Sequence, residues 1–155
     1  MRHQVDFLVV GTGIAGLSYA LKVATYGKVY IVSKADAVET STRYAQGGIA
    51  AVMYDPDTYE KHIKDTMIAG DDLSDPEIVR ITITESTDRV KELVEWGVDF
   101  DKNTAGKYDL AREGGHSEFR VLHHKDNTGQ EIQQKLYETA KKHPNISIFE
   151  NFFTI

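Results

Sequence analysis

An α/β fold with a parallel central sheet is the fold class that this sequence predicts. Two apolar runs, residues 5–10 and 28–32, flank a segment whose small and apolar residues recur at helical spacing. Apolar runs with little alternation are typical of parallel strands buried on both faces. A strand–helix–strand unit of this length places its two strands side by side and in parallel. A third apolar run at residues 146–149 follows another helical segment and predicts a further strand.

The composition is that of an ordinary globular domain. A chain of 155 residues suits one domain with its own core, and its net charge of −6 argues against a nucleic-acid partner. The chain has no cysteine, which excludes disulfides and thiolate metal sites and fits a reducing cytoplasm. We recognise no signal peptide before the first strand and no run of about 20 apolar residues. The prediction is a soluble, cytoplasmic protein with no membrane partner.

The first helix is predicted between the first two strands, and Gly27 is predicted to end it. After the second strand, residues 33–48 are predicted to form a polar loop and residues 49–53 a short strand. The buried side of the first helix is predicted at four positions: Leu17, Ala20, Leu21 and Ala24.

Two helices are predicted in the middle of the chain. The first follows a turn at residues 55–58, and the second begins with Asp-Pro-Glu at residues 75–77, which supply an N-cap, a first-turn proline and an early acid. This second helix should run to about Trp96, with Gly97 ending it. The apolar face of the preceding helix is predicted at every fourth position: Tyr59, Ile63 and Met67.

The last third begins without a regular period. Residues 98–127 are predicted to be loops with short extended pieces, one near residues 119–122. Thr-Gly-Gln-Glu at residues 128–131 predicts a capping box at the start of the last helix. Pro144 stops that helix, and an apolar run resumes two residues after the strand at 146–149, which suggests a fragment of a longer chain. The buried stripe of the helix is predicted at Ile132, Leu136 and Ala140.

A glycine-rich loop joins the first strand to the first helix, the context in which the pattern G-x-G-x-x-G indicates dinucleotide binding in a Rossmann-like fold. Its first glycine allows a tight turn, its second lets a pyrophosphate approach the backbone, and its third lets helix and strand pack closely. The helix N-terminus attracts the anion. The predicted binding residues are Gly11, Thr12, Gly13, Ile14, Ala15 and Gly16.

The end of the second strand lacks the acid that an NAD site needs for its ribose hydroxyls. Ser33 and Lys34 stand there instead. The lysine suits the 2′-phosphate of NADP, and it equally suits the ribose or pyrophosphate of FAD. A solvated lysine without a ligand is the third interpretation.

A second polar loop follows at the predicted carboxyl edge of the sheet. It offers hydroxyls, a guanidinium for phosphate or carboxylate, and an amide that could face a flavin ring, and its paired glycines allow close approach to the backbone. A nicotinamide site does not require such a loop, whereas the longer flavin cofactor does. The predicted binding residues are Ser41, Thr42, Arg43, Tyr44, Ala45, Gln46, Gly47 and Gly48.

In these motifs and three more the chain resembles the flavoprotein family of succinate dehydrogenase, fumarate reductase and L-aspartate oxidase, and the L-aspartate oxidases match best. The resemblance implies a glutathione-reductase-like FAD-binding domain of which residues 1–155 form the N-terminal portion. The remainder of the FAD domain, the capping domain and the C-terminal domain would be absent. The matching pieces are G-T-G-I-A-G (11–16), S-K (33–34), S-T-R-Y-A-Q-G-G-I-A-A-V (41–52), H-I-K-D-T-M-I-A-G (62–70), L-A-R-E-G-G-H-S (110–117) and R-V-L-H-H-K-D-N-T-G (120–129).

The same resemblance implies flavin-dependent oxidation of L-aspartate to iminoaspartate, with oxygen or fumarate as acceptor. This is the first step of de novo NAD biosynthesis, with hand-over of iminoaspartate to quinolinate synthase. Residues 12–15 would contact the FAD pyrophosphate, Lys34 the region near the adenosine, and Glu113 would orient the substrate amine. Ser41 stands where covalent relatives carry a histidine, so the FAD is expected to be non-covalent. The chain alone is expected to be inactive.

Other interpretations stay open. A soluble fumarate reductase of the same family and a non-catalytic nucleotide-binding module both fit the glycine-rich loop, while an NADP reductase leaves residues 41–48 unexplained. No metal site is predicted, because the loop histidines match no common zinc spacing and the adjacent pair would point in opposite directions on a strand. The residues concerned are His116, His123, His124 and Asp126.

Overall fold

The structure is a computed structural model that describes residues 4–71 and 73–155. Helices and strands are interspersed along the chain and one of its sheets is parallel, which confirms the predicted α/β class. The elements are β1 (Phe7–Val10), α1 (Ile14–Val23), β2 (Val29–Val32), β3 (Ile49–Ala50), α2 (Tyr59–Ala69), α3 (Pro76–Glu95), β4 (Leu110–Ala111), β5 (Val121–Leu122), α4 (Thr128–Lys142) and β6 (Ile146–Phe149).

The described residues form two compact units, each with its own sheet. The first unit runs to Gln46 and adds Trp96–Val98 and Gly129–Ile155. The second unit consists of Gly47–Glu95 and Asp99–Thr128. No helix among the described residues is both long enough and apolar enough to cross a membrane.

The sheet of the first unit is parallel, in the order β1-β2-β6. Val9 lies opposite Ile31, and Ile31 lies opposite Ile148 on the other side. The predicted parallel pairing of β1 and β2 is therefore confirmed. The prediction that β1 is buried on both faces is wrong, because Leu8 and Val10 are each 62% exposed. Alternate side chains of a strand face opposite sides, and only the side of Val9 packs against α1.

Helix α1 buries Leu17, Ala20 and Leu21 as predicted, but it ends at Val23 rather than near Gly27. Gly27 is instead a point of close packing. A Cβ atom there would lie 2.5 Å from Oδ2 of Asp6, and that carboxylate accepts a hydrogen bond from the N–H of Lys28 at 2.7 Å. The glycine allows the carboxylate to reach the start of β2.

The sheet of the second unit is antiparallel, in the order β3-β5-β4, so that Ala50 and Ala111 both pair with Val121. The extended piece predicted near residues 119–122 is present as β5. The partner strand β4 was not predicted, because a strand of two residues carries no recognisable period.

The N-cap predicted at the start of helix α3 and the glycine predicted at its end are both confirmed. Oδ1 of Asp75 accepts hydrogen bonds from the N–H groups of Glu77 and Ile78 at 2.9 and 3.1 Å, and Gly97 has a φ of +97° just beyond the helix. In α2 the predicted apolar face is only half-buried, and the buried side chain is that of His62. This difference matters for the second unit, because His62 lies near buried charges.

Helix α4 buries the predicted stripe, since Ile132, Leu136 and Ala140 are at most 3% exposed. The prediction of a capping box at the start of this helix is wrong. Thr128 is the first helical residue rather than the residue before the helix, and its hydroxyl accepts a hydrogen bond from the N–H of His124 at 3.1 Å. The threonine therefore fastens the preceding loop.

Candidate functional site

A cleft of about 490 Å³ opens at the carboxyl ends of β1 and β2 in the first unit. Its walls are residues 10–13, 32–34, 39–42 and 152–154. Parallel α/β sheets bind ligands at this edge, because their glycine-rich turns and helix N-termini face it. The structure therefore brings three of the segments predicted from the sequence to one cleft.

The glycine-rich loop has a backbone that only glycine accommodates well. Gly11 has a φ of +100°, which lies in the left-handed region that other residues rarely adopt. A Cβ atom on Gly16 would lie 2.1 Å from the carbonyl oxygen of Gly11, so a side chain there would displace the loop. At Gly13 a Cβ atom would lie 3.3 Å from Oγ1 of Thr42, which leaves little room. This bare backbone fits a pyrophosphate that approaches closely.

The second loop reaches the N-terminus of α1 through Thr42. The N–H of Ile14 donates a hydrogen bond to Oγ1 of Thr42 at 3.0 Å. The first N–H groups of a helix lack partners within the helix, and such groups attract anions. The hydroxyl of Thr42 therefore occupies one of the N–H groups at the helix end to which an anion would be attracted, a contact that the sequence did not indicate.

The two residues after β2 differ in their surroundings. Ser33 is buried, its hydroxyl accepts from that of Thr12 at 3.4 Å, and its carbonyl accepts from the N–H of Phe152 at 2.8 Å. Lys34 is exposed and carries its positive charge at the wall of the cleft. Ser33 thus ties the glycine-rich loop to the segment after β6, and Lys34 remains the predicted contact for the cofactor.

Sequence reasoning missed an aromatic wall of the cleft. Phe152 and Phe153 line it, and their side chains are 56% and 79% exposed. A usable signal was present, because β6 was predicted as a strand of the α/β core. The residues after a third parallel strand come to the same edge as those after the first two.

The second unit contains the other predicted site residues. Gly48 has a φ of +102°, and a Cβ atom on it would lie 2.4 Å from the carbonyl oxygen of Leu122. A Cβ atom on Gly47 would lie 3.4 Å from Oε1 of Glu113, so the carboxylate lies beside this glycine. Glu113 is exposed in the loop after β4. The structure therefore brings Gly47 and Glu113 together.

A buried arginine in the second unit was not identified from the sequence. The side chain of Arg120 is fully buried, and its Nε and Nη2 donate to the two carboxylate oxygens of Asp57 at 2.9 and 2.8 Å. Its Nη1 donates to Asp65 at 2.6 Å. Burial raises the pKa of Asp65, but hydrogen bonds from Ser117 and Arg120 lower it to about 2. The available signal was an arginine directly before a short apolar strand.

Two histidines lie beside this ion network. The ring centroids of His62 and His116 are 6.0 Å apart, with an angle of 77° between the planes. Each has a buried Nδ1 atom without a hydrogen-bond partner among the described residues. Burial is the main cause that lowers the pKa of His62 to about 4, and the positive charge of Arg120 adds to it.

His62 is expected to make stability depend on pH. Its pKa is 6.5 in the unfolded chain and about 4 in the folded one, so below pH 6.5 the unfolded state binds more protons. The free energy of unfolding should therefore fall as the pH drops from 7 to 5, by roughly 1–2 kcal/mol from this group. Urea titrations at both pH values would measure it. The His62→Gln variant should lose this part of the pH dependence; an unchanged difference would contradict the assignment.

The two adjacent histidines were expected to point in opposite directions, but both of their rings lie beside Asp101. Nδ1 of His123 and Nδ1 of His124 lie 3.2 and 3.8 Å from carboxylate oxygens of Asp101. Both residues follow β5 rather than belonging to it, so the alternation of a strand does not apply to them. The described part of the chain contains no group of three or more His, Asp or Glu placed to hold a metal ion.

Comparison with known proteins gives a consistent result. The profile of the family described as "FAD binding domain" matches residues 6–154. L-aspartate oxidase 2-b, chloroplastic, of Nicotiana tabacum is 49% identical over 150 residues, which are 97% of this chain and 23% of the relative. L-aspartate oxidase of Vibrio cholerae is 48% identical over 153 residues, 96% of this chain and 29% of the relative. The chain thus spans about a quarter of the length of these curated relatives.

Solved structures confirm the fold. Quinol fumarate reductase of E. coli superposes with a TM-score of 0.91 at 30% identity, over 97% of this chain and 26% of that one. The Sdh1 complex of Mycobacterium smegmatis in its apo form gives a TM-score of 0.84 at 32% identity, over 97% of this chain and 28% of that one. The resemblance that the sequence motifs indicated is confirmed by these matches.

Proposed function

We propose, since this chain belongs to the family of FAD binding domains, that it is the N-terminal part of an FAD-dependent L-aspartate oxidase. Family membership confirms FAD as the cofactor predicted from the two loops. The observation that carries the proposed activity is the 48–49% identity to proteins named L-aspartate oxidase over nearly the whole chain. We further propose that the remainder of the FAD domain, a capping domain and a C-terminal domain complete the parent polypeptide.

Several features of the cleft support its proposed role in holding FAD. The bare backbone of residues 11–13 admits the pyrophosphate, and the exposed ammonium group of Lys34 balances phosphate charge. Phe152 and Phe153 offer aromatic surface of the kind against which an adenine ring packs. Residues 41–48 are proposed to contact the flavin part of the cofactor.

The substrate is proposed to be oriented by Glu113. Bound FAD supplies a hydride acceptor for the oxidation of the α-carbon. The carboxylate of Glu113 holds the substrate amine by charge, and its oxygen accepts the proton that the amine loses. The exposure of this side chain and its position beside Gly47 support the assignment, because a carboxylate that binds substrate must be accessible.

The FAD is proposed to be held non-covalently. Ser41 lies in the wall of the cleft, and a hydroxyl cannot form the histidyl–flavin bond that the resemblance attributes to covalent relatives. Acid precipitation of the FAD-loaded parent polypeptide is expected to leave the flavin in the supernatant. Yellow colour that stays with the precipitated protein through repeated washing would contradict non-covalent binding.

The acceptor is proposed to be oxygen or fumarate, and the product iminoaspartate. In the cell this product would serve de novo NAD biosynthesis through quinolinate synthase, in the cytoplasm as the cysteine-free composition suggests. In air, the parent polypeptide should form one hydrogen peroxide for each aspartate oxidised. Without oxygen, added fumarate should be converted to succinate in the same ratio. Absence of both products in an FAD-loaded sample would refute the proposed activity.

A soluble fumarate reductase is the second candidate function. The likeness to quinol fumarate reductase, with a TM-score of 0.91, favours it. The two candidates differ in the electron donor, because a fumarate reductase has no need to oxidise an amino acid. Formation of succinate from fumarate with reduced dyes but not with L-aspartate would favour this second candidate.

A further inference from the structure

We propose that Gln133 is a positioning residue that sets the spacing between the two loops of the FAD cleft. The inference rests on FAD binding, which is part of the proposed function, and it does not depend on which substrate is oxidised. Gln133 lies on α4, outside the cleft, and only 1% of it is exposed. It belongs to none of the motifs that predicted the site.

The amide of Gln133 uses both its donor and its acceptor groups. Its Nε2 donates to the carbonyl oxygens of Thr12 at 2.9 Å and Ala37 at 3.1 Å. Its Oε1 accepts from the hydroxyl of Thr40 at 2.9 Å. One side chain therefore joins the glycine-rich loop, the segment after β2 and the beginning of the second loop. These segments contain three of the walls of the cleft.

The connection continues into the second loop. Oγ1 of Thr40 also accepts from the N–H of Arg43 at 3.3 Å, and this turn presents Ser41 and Thr42 to the cleft. Gln133 thereby links the carbonyl of Thr12 on one wall to the turn that forms the opposite wall.

Gly129, one helical turn before Gln133 on the same side of α4, makes a second contact between this helix and the second loop. Its N–H donates to the carbonyl oxygen of Ala45 at 2.9 Å. A Cβ atom on Gly129 would lie 2.0 Å from the carbonyl oxygen of Thr42, so the helix touches the loop backbone directly. Residues four apart share one face of a helix, so one rigid element holds the loop at two points.

An amide is the only neutral group of this size that makes all three hydrogen bonds. A carboxylate can accept from Thr40 but cannot donate to two carbonyl oxygens, and a leucine can do neither. Thr12 and Ala37 are buried, so their carbonyl oxygens would lose their partner without gaining water. We expect the two loops to separate or shift when the amide is replaced, which weakens the binding of FAD.

The test measures the affinity for FAD in the parent polypeptide that carries this chain, prepared as apoprotein. FAD fluorescence is titrated for the wild type, Gln133→Leu, Gln133→Glu and the matched control Gln134→Leu. Gln134 is the next residue on the helix and is exposed, and its Nε2 donates to a carboxylate oxygen of Glu138 on the same helix at 2.6 Å. The dissociation constant should rise at least about tenfold in both Gln133 variants and stay within about twofold in the control.

A positioning role also predicts coupling with Thr40. In a double-mutant cycle, Thr40→Val combined with Gln133→Leu should weaken FAD binding little more than Gln133→Leu alone. Chemical denaturation of each apoprotein verifies that the titrated sample is folded. If Gln133→Leu does not fold, Thr40→Val and Gln133→Glu decide the matter, because each keeps part of the network.

Two results would overturn the proposal. The first is an FAD dissociation constant within about twofold of the wild type in the folded Gln133 variants. The second is a double variant whose fold-increase in the FAD dissociation constant equals the product of the fold-increases in the two single variants. Wild-type protein that binds FAD but is not reduced by L-aspartate would refute the oxidase and leave this inference intact. Failure of the two proposals is therefore distinguishable.

Discussion

Replacing Arg120 with methionine is expected to lower the free energy of unfolding by about 3–5 kcal/mol. The guanidinium is fully buried against Asp57, whose side chain is 2% exposed, and against Asp65, whose side chain is 11% exposed. Methionine fills a similar volume but leaves the carboxylates without their partner in a poorly solvated place. Urea denaturation at pH 7, followed by far-ultraviolet circular dichroism, measures the loss.

The matched control is Arg89→Met. Arg89 forms a salt bridge of 2.9 Å with Glu92, but its side chain is 50% exposed, so the loss should stay below about 1 kcal/mol. Combining Arg120→Met with Asp57→Leu should cost less than the sum of the two separate losses, because the second change removes one stranded carboxylate. Equal losses for Arg89 and Arg120 would show that the buried network does not hold the second unit together.

Replacing Glu113 with glutamine is expected to lower kcat/KM for L-aspartate by about 10²–10⁴-fold in the FAD-loaded parent polypeptide. The amide keeps the size of the side chain but can neither attract an ammonium group nor take its proton. Reduction of fumarate by dye-reduced flavin should change by less than about tenfold, since fumarate has no amine for this carboxylate to orient. Steady-state assays with the two substrates separate the effects.

Glu118→Gln is the control for this change. Its carboxylate lies in the same unit and accepts a hydrogen bond from Nζ of Lys61 at 2.6 Å. The proposed mechanism gives neither residue a role in binding the substrate. It should leave both activities within about threefold of the wild type. Equal losses in aspartate oxidation and fumarate reduction for Glu113→Gln would contradict a role in handling the amine.

Features with a local physical cause could be predicted from the sequence. The start of α3 was predictable because Asp75 is its N-cap. The glycine-rich loop was predictable because the left-handed φ at Gly11 and the close packing at Gly16 both require glycine. Each of these depends on residues a few positions apart. The parallel pairing of β1 with β2 was predictable because a short helical crossover allows no other arrangement in one sheet.

Features that depend on distant residues could not be predicted. Arg120 meets Asp57 across 63 positions, and Gln133 meets Thr12 across 121. The sequence shows a charged residue beside an apolar strand and a glutamine on a helix, but it does not show what faces them. The extended pieces predicted at residues 49–53 and near residues 119–122 are present as β3 and β5, but β4 and the antiparallel pairing of the three strands depend on distant partners. Exposure of Leu8 and Val10 likewise depends on what covers the sheet, which no pattern within β1 reveals.

The most direct test of the proposed oxidase is the visible spectrum of the flavin under anaerobic conditions. The parent polypeptide is loaded with FAD, oxygen is removed, and L-aspartate is added to one cell and succinate to a parallel one. An L-aspartate oxidase predicts bleaching of the visible flavin band by aspartate and no bleaching by succinate. Bleaching by succinate alone, or by neither compound while fumarate still reoxidises chemically reduced flavin, would contradict it.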